Sequence, residues 1–297
     1  MGVYNGKKYL GQQIESVLKQ NFHNWHLYIR DDGSDDGSKK VIKDFAEKYP
    51  KKITDLSFLE GGGSSTKNFF VILKWVKNNT DSDYFMFADQ DDYWLPFKIE
   101  ICLKHFLSNK PILVHTDLRV VDSSLKTINS SYIKMSNLDP YRCSLSNILV
   151  QNKVTGCTMM WNKKLNDLID YDNVSKIAMH DWWIALIAAA FGEIRFVNKP
   201  TILYRQHQNN VVGARKKNMV NYIFSYSQIQ ESLNRSIAQA LSFYFVYEFK
   251  LSDRDKDVVE NYGKIREQKK IARITIILKF GLTRDSFIQK IGQIICI

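Results

Sequence analysis

The residues best placed to do chemistry are Asp89-Gln90-Asp91-Asp92, three carboxylates within four positions. Carboxylates this close repel one another unless a cation neutralises them, and hard divalent ions such as Mg2+ take oxygen ligands. Mg2+ commonly keeps one or two carboxylates and draws its other ligands from water and phosphate oxygens, so the cluster points to a metal-bound phosphate ester. The plainer reading is a cap for the helix expected from about Pro96. A cap needs one carboxylate, and here there are three. Asp31-Asp32 is a second acidic pair, suited to the base or ribose of a nucleotide, with an Asx turn as its structural alternative.

Both clusters follow segments that read as strands. Tyr84-Phe85-Met86-Phe87-Ala88 is a short apolar run of the buried, central-strand kind, and Trp25, Leu27 and Ile29 alternate with His26, Tyr28 and Arg30. Acidic residues just past the carboxyl ends of such strands lie where open α/β sheets bind ligands. Helical spacing of Leu10, Ile14, Val17 and Leu18, then of Val41, Ile42 and Phe45, then of Phe69, Ile72, Leu73 and Val76, supplies the intervening helices. This alternation predicts an α/β fold with a mostly parallel sheet and helices on both faces. Further on, a helix from Pro96 to Leu107, a strand at Ile112 to His115 and a strand entered through Thr155-Gly156-Cys157 are expected. His180-Asp181-Trp182-Trp183 opens an apolar helix, and Ile202-Leu203-Tyr204 reads as a strand. Beyond Gly213 the strand signals fade and helices run to the end.

At 297 residues, with 44% hydrophobic and 25% charged side chains, the chain has ordinary globular composition and can bury a sizeable core. Its net charge of +11 asks for an acidic partner. The excess is uneven: residues 1–213 carry a net of +4, and 214–297 carry +7. Cys102, Cys143, Cys157 and Cys296 are widely spaced with no zinc-type pairing, which suits a reducing compartment. With no signal-like start and no apolar stretch of spanning length, the expectation is a cytoplasmic protein, peripheral at most on the inner face of the plasma membrane.

Taken together, Val3-Tyr4-Asn5-Gly6, Asp31-Asp32-Gly33-Ser34-Asp35-Asp36-Gly37 and Asp89-Gln90-Asp91-Asp92 with Trp94 resemble the family 2 inverting glycosyltransferases of the GT-A (Rossmann-like) fold. His180-Asp181-Trp182-Trp183 and the segment Tyr204 to Gly213 look more narrowly like the rhamnosyltransferase-type members that build bacterial surface polysaccharides. The resemblance covers about residues 3–213 and implies a catalytic domain over 1–213 followed by a basic helical region over 214–297. Members of the family carry a full apolar strand ahead of the segment matching Val3-Tyr4-Asn5. Here only Met1-Gly2 precede it, so a truncated start or a very short first strand is expected.

The resemblance also implies roles. Val3, Tyr4, Asn5, Asp31 and Asp32 would contact the nucleoside of a nucleotide-diphosphate sugar. Asp91 would be the principal ligand of Mg2+ or Mn2+, with Asp89 against the ribose or the metal, Gln90 beside them and Asp92 in support. The metal would neutralise the departing diphosphate. His207 would add a metal or diphosphate contact, and the fork of Arg205 suits phosphate. Asp181, a carboxylate at a helix start, is the candidate general base, with His180 as its rival because its ordinary pKa lies near neutrality. Trp182 and Trp183 would stack on the acceptor or belong to the core. Thr155 and Gly156 resemble the loop lining donor sugar and acceptor. Lys67 and Asn68 would contact the donor or else merely start a helix.

The function this implies is transfer of a sugar, L-rhamnose from dTDP-rhamnose, with inversion onto a growing, lipid-linked polysaccharide. A sugar nucleotidyltransferase is the rival enzyme, but Asp31-Asp32-Gly33-Ser34 is too acidic to serve as its phosphate loop. A non-catalytic scaffold of the same fold is the other alternative. Nucleic-acid binding would need a recognition motif that the sequence lacks. In the tail, Arg215-Lys216-Lys217, Lys264, Arg266, Lys269-Lys270, Arg273 and Lys279 alternate with apolar groups. That pattern suits either an anionic membrane surface or a helical subdomain with a solvated face.

Overall fold

The computed structural model describes residues 1–173, 177–206 and 222–297, with side chains in the last span from residue 227. In chain order the elements are β1 (Gly2–Val3), α1 (Lys7–Leu18), β2 (Leu27–Asp31), α2 (Ser38–Lys48), β3 (Ile53–Asp55), α3 (Ser65–Asn79), β4 (Tyr84–Met86), β5 (Tyr93–Trp94), α4 (Lys98–Leu103), β6 (Ile112–Val121) and β7 (Thr127–Asn129). There follow α5 (Tyr132–Met135), α6 (Leu145–Val150), a 3-10 turn (Gly156–Thr158), β8 (Met159–Asn162), α7 (Lys163–Asn166), α8 (His180–Phe191) and β9 (Glu193–Arg205). The chain closes with α9 (Tyr222–Tyr247), α10 (Asp253–Gly263), a 3-10 turn (Ile265–Glu267), α11 (Lys270–Phe280) and α12 (Phe287–Cys296).

One compact unit comprises Met1–Tyr132, Thr155–Asp167 and Arg195–Gly213. It holds the expected α/β architecture. Strands β1, β2 and β3 pair in parallel, with Val3 opposite Asp31 and Ile29 opposite Asp55. A second sheet runs β4-β8-β6-β9-β5, with β7 beside β6. Its pairs β4–β8, β6–β8, β6–β7 and β5–β9 are antiparallel, whereas β6 and β9 run side by side in the same direction, with Thr116 against Thr201 and Gln206 N–H donating to the Val121 carbonyl, so the second sheet is mixed. Burial pattern does not report strand direction: β6 lies antiparallel to β7 and β8, yet nine of its ten residues are buried, as a central parallel strand would be. Likewise the run Tyr84–Ala88, expected at the centre, supplies Tyr84–Met86 as β4 at the end of that sheet, with Tyr84 exposed.

The other unit comprises Ile133–Val154, Leu168–Ile194 and Ala214–Ile297 and is helical. Helix α8 buries every residue from His180 to Ala188, so it requires neighbours on all sides. Trp183 packs edge-on against Phe243 of α9 and close to Tyr247, whose hydroxyl donates to the Leu168 carbonyl at 2.9 Å. Fully buried Lys153 donates to Asp285 at 2.6 Å and to the Arg142 carbonyl at 2.7 Å, and Arg142 completes the ion pair with Asp285 at 3.1 Å. The division expected at residue 213 is therefore not a single cut: the helical unit recruits two earlier segments, because the apolar circumference of α8 needs α6 and α9 around it.

Candidate functional site

In the α/β unit, three strand-end loops are laced together by hydrogen bonds between backbone and side chains that a sequence does not show. Asn5, in the left-handed region at φ 49° that Asn tolerates better than most residues, donates its N–H to Ser34 Oγ at 2.8 Å and accepts from Asp35 N–H at 3.0 Å. Gly6 N–H donates to Ser38 Oγ, and Lys7 N–H to Asp36 Oδ2, both at 2.9 Å. On its other side Tyr4 N–H donates to Gln90 Oε1 at 2.8 Å while Gln90 Nε2 donates to the Tyr4 carbonyl at 3.0 Å. The loop after β1 thus bridges the Asp31–Ser38 loop and the Asp89–Asp92 loop. Gly6 admits Gln90, since a Cβ there would lie 2.4 Å from Gln90 Oε1. Val3 is buried in the sheet, and the Tyr4 ring is exposed.

The two acids at the end of β2 differ in role. Asp31 Oδ1 accepts from Gly33 and Ser34 N–H in an Asx turn, while its buried Oδ2 has no hydrogen-bond partner among the described residues and is left as an acceptor. Asp32 is structural: Oδ1 accepts from Arg30 at 2.9 Å and Oδ2 from Gly63 N–H at 2.8 Å, holding the Gly61–Gly63 loop. Arg30 also bonds the carbonyls of Leu59 and Gly61 and donates to Asn68 Oδ1 at 2.7 Å. Asn68 is buried in this network, whereas Lys67 next to it is exposed.

Beyond β4, ligand atoms of Asp89, Asp92 and Cys157 lie within 4.8 Å of one another. Asp91, expected as the principal ligand, is not in that cluster. Asp92 is completely buried, and its neighbours as hydrogen-bond donors are the Cys157 thiol and the Arg205 backbone, both neutral. Burial, reinforced by the charges of Asp91 and Asp89, holds its carboxyl well above the ordinary range. Burial also pushes the Cys157 thiol up, so it stays protonated and is a poor partner for a hard cation. Lys98 is the residue that sequence reasoning missed. Its fully buried ammonium stands 4.7 Å from the Trp94 ring centre; burial lowers its pKa, and the nearby Cys102, Cys157 and Asp92 raise it. The only signal was a lysine six positions past the acidic loop. Two converging carboxylates, one of them fully buried, suit a divalent cation.

Arg205 is buried and its fork is committed to the protein. Nε donates to the Asp91 carbonyl at 2.9 Å, and its terminal nitrogens donate to the Ser123 carbonyl and Gln12 Oε1, each at 2.6 Å. It shapes the acidic loop instead of pairing with phosphate. Thr155 precedes the 3-10 turn that buries Gly156, and its carbonyl accepts from Thr158 Oγ1 at 2.7 Å. His207 lies outside the described residues.

In the helical unit, Asp181 sits in the first turn of α8 and accepts from Trp182 N–H at 2.6 Å. Burial takes the neighbouring His180 down to about 3, which leaves a weak base at neutral pH and favours Asp181 over it. Trp183 is fully buried, so it belongs to the core and not to an acceptor platform. Trp182 donates its indole N–H to the Ile148 carbonyl at 2.6 Å and lines a small cleft with Gln228, Glu231, Ser232 and Arg235.

An α/β sheet whose strand-end loops converge on an acidic cluster is the arrangement of the GT-A glycosyltransferases. The fold matches that of Staphylococcus aureus TarS, solved with UDP-GlcNAc, at a TM-score of 0.53 and 16% identity over 94% of this chain and 78% of that one. Residues 1–169 match the model of glycosyl transferase family 2, and the chain belongs to that family. It is 28% identical over 222 residues to the dTDP-rhamnosyl transferase RfbG of Shigella flexneri, covering 72% of this chain and 74% of the relative. It is also 24% identical to the UDP-Glc:alpha-D-GlcNAc-diphosphoundecaprenol beta-1,3-glucosyltransferase WfgD of Escherichia coli, over 74% of this chain and 80% of that one. Across its curated relatives the chain spans from 29% to 80% of their own lengths.

Proposed function

We propose that this glycosyltransferase moves L-rhamnose from dTDP-rhamnose, with inversion, onto a saccharide of a lipid-linked bacterial surface polysaccharide. The likeness to RfbG supports the donor, and the likeness to WfgD, whose name carries a diphosphoundecaprenol acceptor, supports a lipid-linked acceptor. The observation that carries the reading is the lacing of Tyr4-Asn5 to both acidic loops, which assembles a nucleotide cradle from three strand ends.

In this reading the exposed Tyr4 ring covers the base and the open Oδ2 of Asp31 accepts from it, while Lys67 reaches the donor from the rim. Asp89 and Asp92 hold Mg2+ or Mn2+, with Asp91 at the edge of the site, and the ion supplies Lewis-acid neutralisation of the diphosphate. The acceptor hydroxyl attacks the anomeric carbon as the bond to the diphosphate oxygen breaks on the opposite face, and Asp181 takes the hydroxyl proton. Trp182, at its small cleft, is the remaining acceptor contact.

The test is a panel of nucleotide sugars assayed with Mg2+ or Mn2+ for donor binding and slow hydrolysis. dTDP-rhamnose is expected to bind and to release dTDP, and Asp89→Asn to lower turnover at least a hundredfold, the scale on which a lost charge-stabilising group acts. Binding of no member of the panel, or an unchanged rate in Asp89→Asn, refutes the proposal.

A further inference from the structure

Helix α12 is inverted relative to an ordinary surface helix. Its glutamines face inward: buried Gln293 donates to the Leu282 carbonyl at 2.7 Å and accepts from Arg284 N–H at 3.1 Å, and Gln289 accepts from Gln151 at 3.1 Å. Its large apolar residues Phe287, Ile288, Ile291, Ile294 and Ile295 face water, with Phe287 75% and Ile295 56% exposed. At about 100° per residue these five side chains fall within a stripe about 120° wide, a single continuous face. The helix is held firmly in this orientation. Ser286 caps its start by accepting from Gln289 N–H, and Arg266 donates to the carbonyls of Cys296 and Ile297 at 2.8 and 3.0 Å, joined at Ile297 by Arg273 of α11. A contiguous exposed apolar face on a rigid element marks an interaction surface.

Charge selects the partner. From residue 264 to 297 the chain carries eight basic and two acidic side chains, a net of +6. One of those acids, Asp285, is already neutralised by Lys153 and Arg142. Lys269, Lys270 and Lys279, on and beside α11, are exposed. A second copy of the chain would bring like charge against like, whereas an anionic lipid surface attracts the lysines and accepts the apolar stripe. Among the described residues no helix is long and apolar enough to cross a membrane. Over Phe287–Cys296 α12 is about 15 Å long, a length that fits a helix lying in the interface.

We propose that α12 docks the protein on an anionic phospholipid bilayer, burying the Phe287–Ile295 face at the headgroup boundary. The basic tail suggested membrane contact in general; the exposed stripe assigns it to residues that the tail pattern did not single out. The inference does not depend on the donor or acceptor, though a lipid-linked acceptor gives the docking a use.

The test is co-sedimentation of the full chain with vesicles of mixed phosphatidylglycerol and phosphatidylcholine, and with phosphatidylcholine alone. Binding is expected to the anionic vesicles only, to weaken several-fold in high salt, and to fall by at least about tenfold in Ile291→Ser/Ile295→Ser, whose changes lie on the exposed face. Circular dichroism verifies that this variant folds. No binding, equal binding to neutral vesicles, or unchanged binding by the variant overturns the proposal. So does a concentration-dependent dimer that the same substitutions abolish, since a second copy would then own the face. Release of dTDP from dTDP-rhamnose, measured alongside without lipid, reads the transferase proposal separately and is expected to be the same in both proteins.

Discussion

Replacing His180 by Gln should flatten the acid limb of the stability profile. Burial lowers the native pKa of this imidazole to about 3, from 6.5 when it is unburied. Between those values the unfolded chain takes up a proton that the native state refuses, so the unfolded state holds about one proton more and stability rises with pH by about 1.4 kcal/mol per unit. The contribution is complete above about pH 6.5 and is lost as pH falls towards 3. From pH 7 to pH 5 the loss from this one group is about 2 kcal/mol. Urea unfolding of wild type and His180→Gln at pH 5, 6 and 7 isolates it, because the carboxylates titrate alike in both proteins. The difference in unfolding free energy between the two should change by about 2 kcal/mol across that range, with wild type losing more on acidification. Parallel profiles would mean that His180 is solvated or charged in the native state. That result would also restore it as a rival to Asp181 for the acceptor proton.

Three further outcomes are expected. Arg205→Lys, which cannot reproduce a fork serving the Asp91 and Ser123 carbonyls and Gln12 together, should lose about 2–3 kcal/mol in urea unfolding and weaken nucleotide binding measured by calorimetry; retention of both would show that the fork is dispensable. Gly62→Ala combines a φ of 120° with a Cβ that would sit 1.7 Å from Asp32 Oδ1, so the Gly61–Gly63 loop must move, and a stability loss of at least about 1 kcal/mol should appear as a lower Tm. Asp92→Asn should leave the metal-free Tm unchanged or raised, because it removes a fully buried acid crowded by the charges of Asp91 and Asp89. It should abolish the rise in Tm that Mn2+ gives wild type, about 2.7 kcal/mol of stabilisation at a hundredfold excess over Kd; a rise equal to wild type would take Asp92 out of the metal site.

Much of the α/β architecture was legible because it is written locally. Leu10, Ile14 and Val17 recur at helical spacing and are the residues that α1 buries. Thr155-Gly156-Cys157 does enter a strand, through a 3-10 turn. Strand direction was not legible, since β6 is buried along nearly its whole length whichever way its neighbours run. That the acidic loop crowds carboxylates at a strand end was legible, but which of its oxygens converge was not. Adjacent residues differ in the direction of their side chains, and folding sends Asp92 inward beside Cys157 and leaves Asp91 half-exposed.

By itself, then, the sequence determined the chemistry available: carboxylates at two strand ends, an acid at the start of α8, and a positive charge concentrated in the last quarter of the chain. These are matters of residue type and short spacing, which neighbouring positions fix. The tertiary structure alone decided how the groups are used. Arg205 turns from a phosphate ligand into a brace for the acidic loop because its partners, Gln12, Asp91 and Ser123, lie 82 or more positions away in the chain. The same holds for α12, where long-range bonds to Gln151, Arg266 and Arg273 set which face of the helix meets water, and so turn the isoleucines outward.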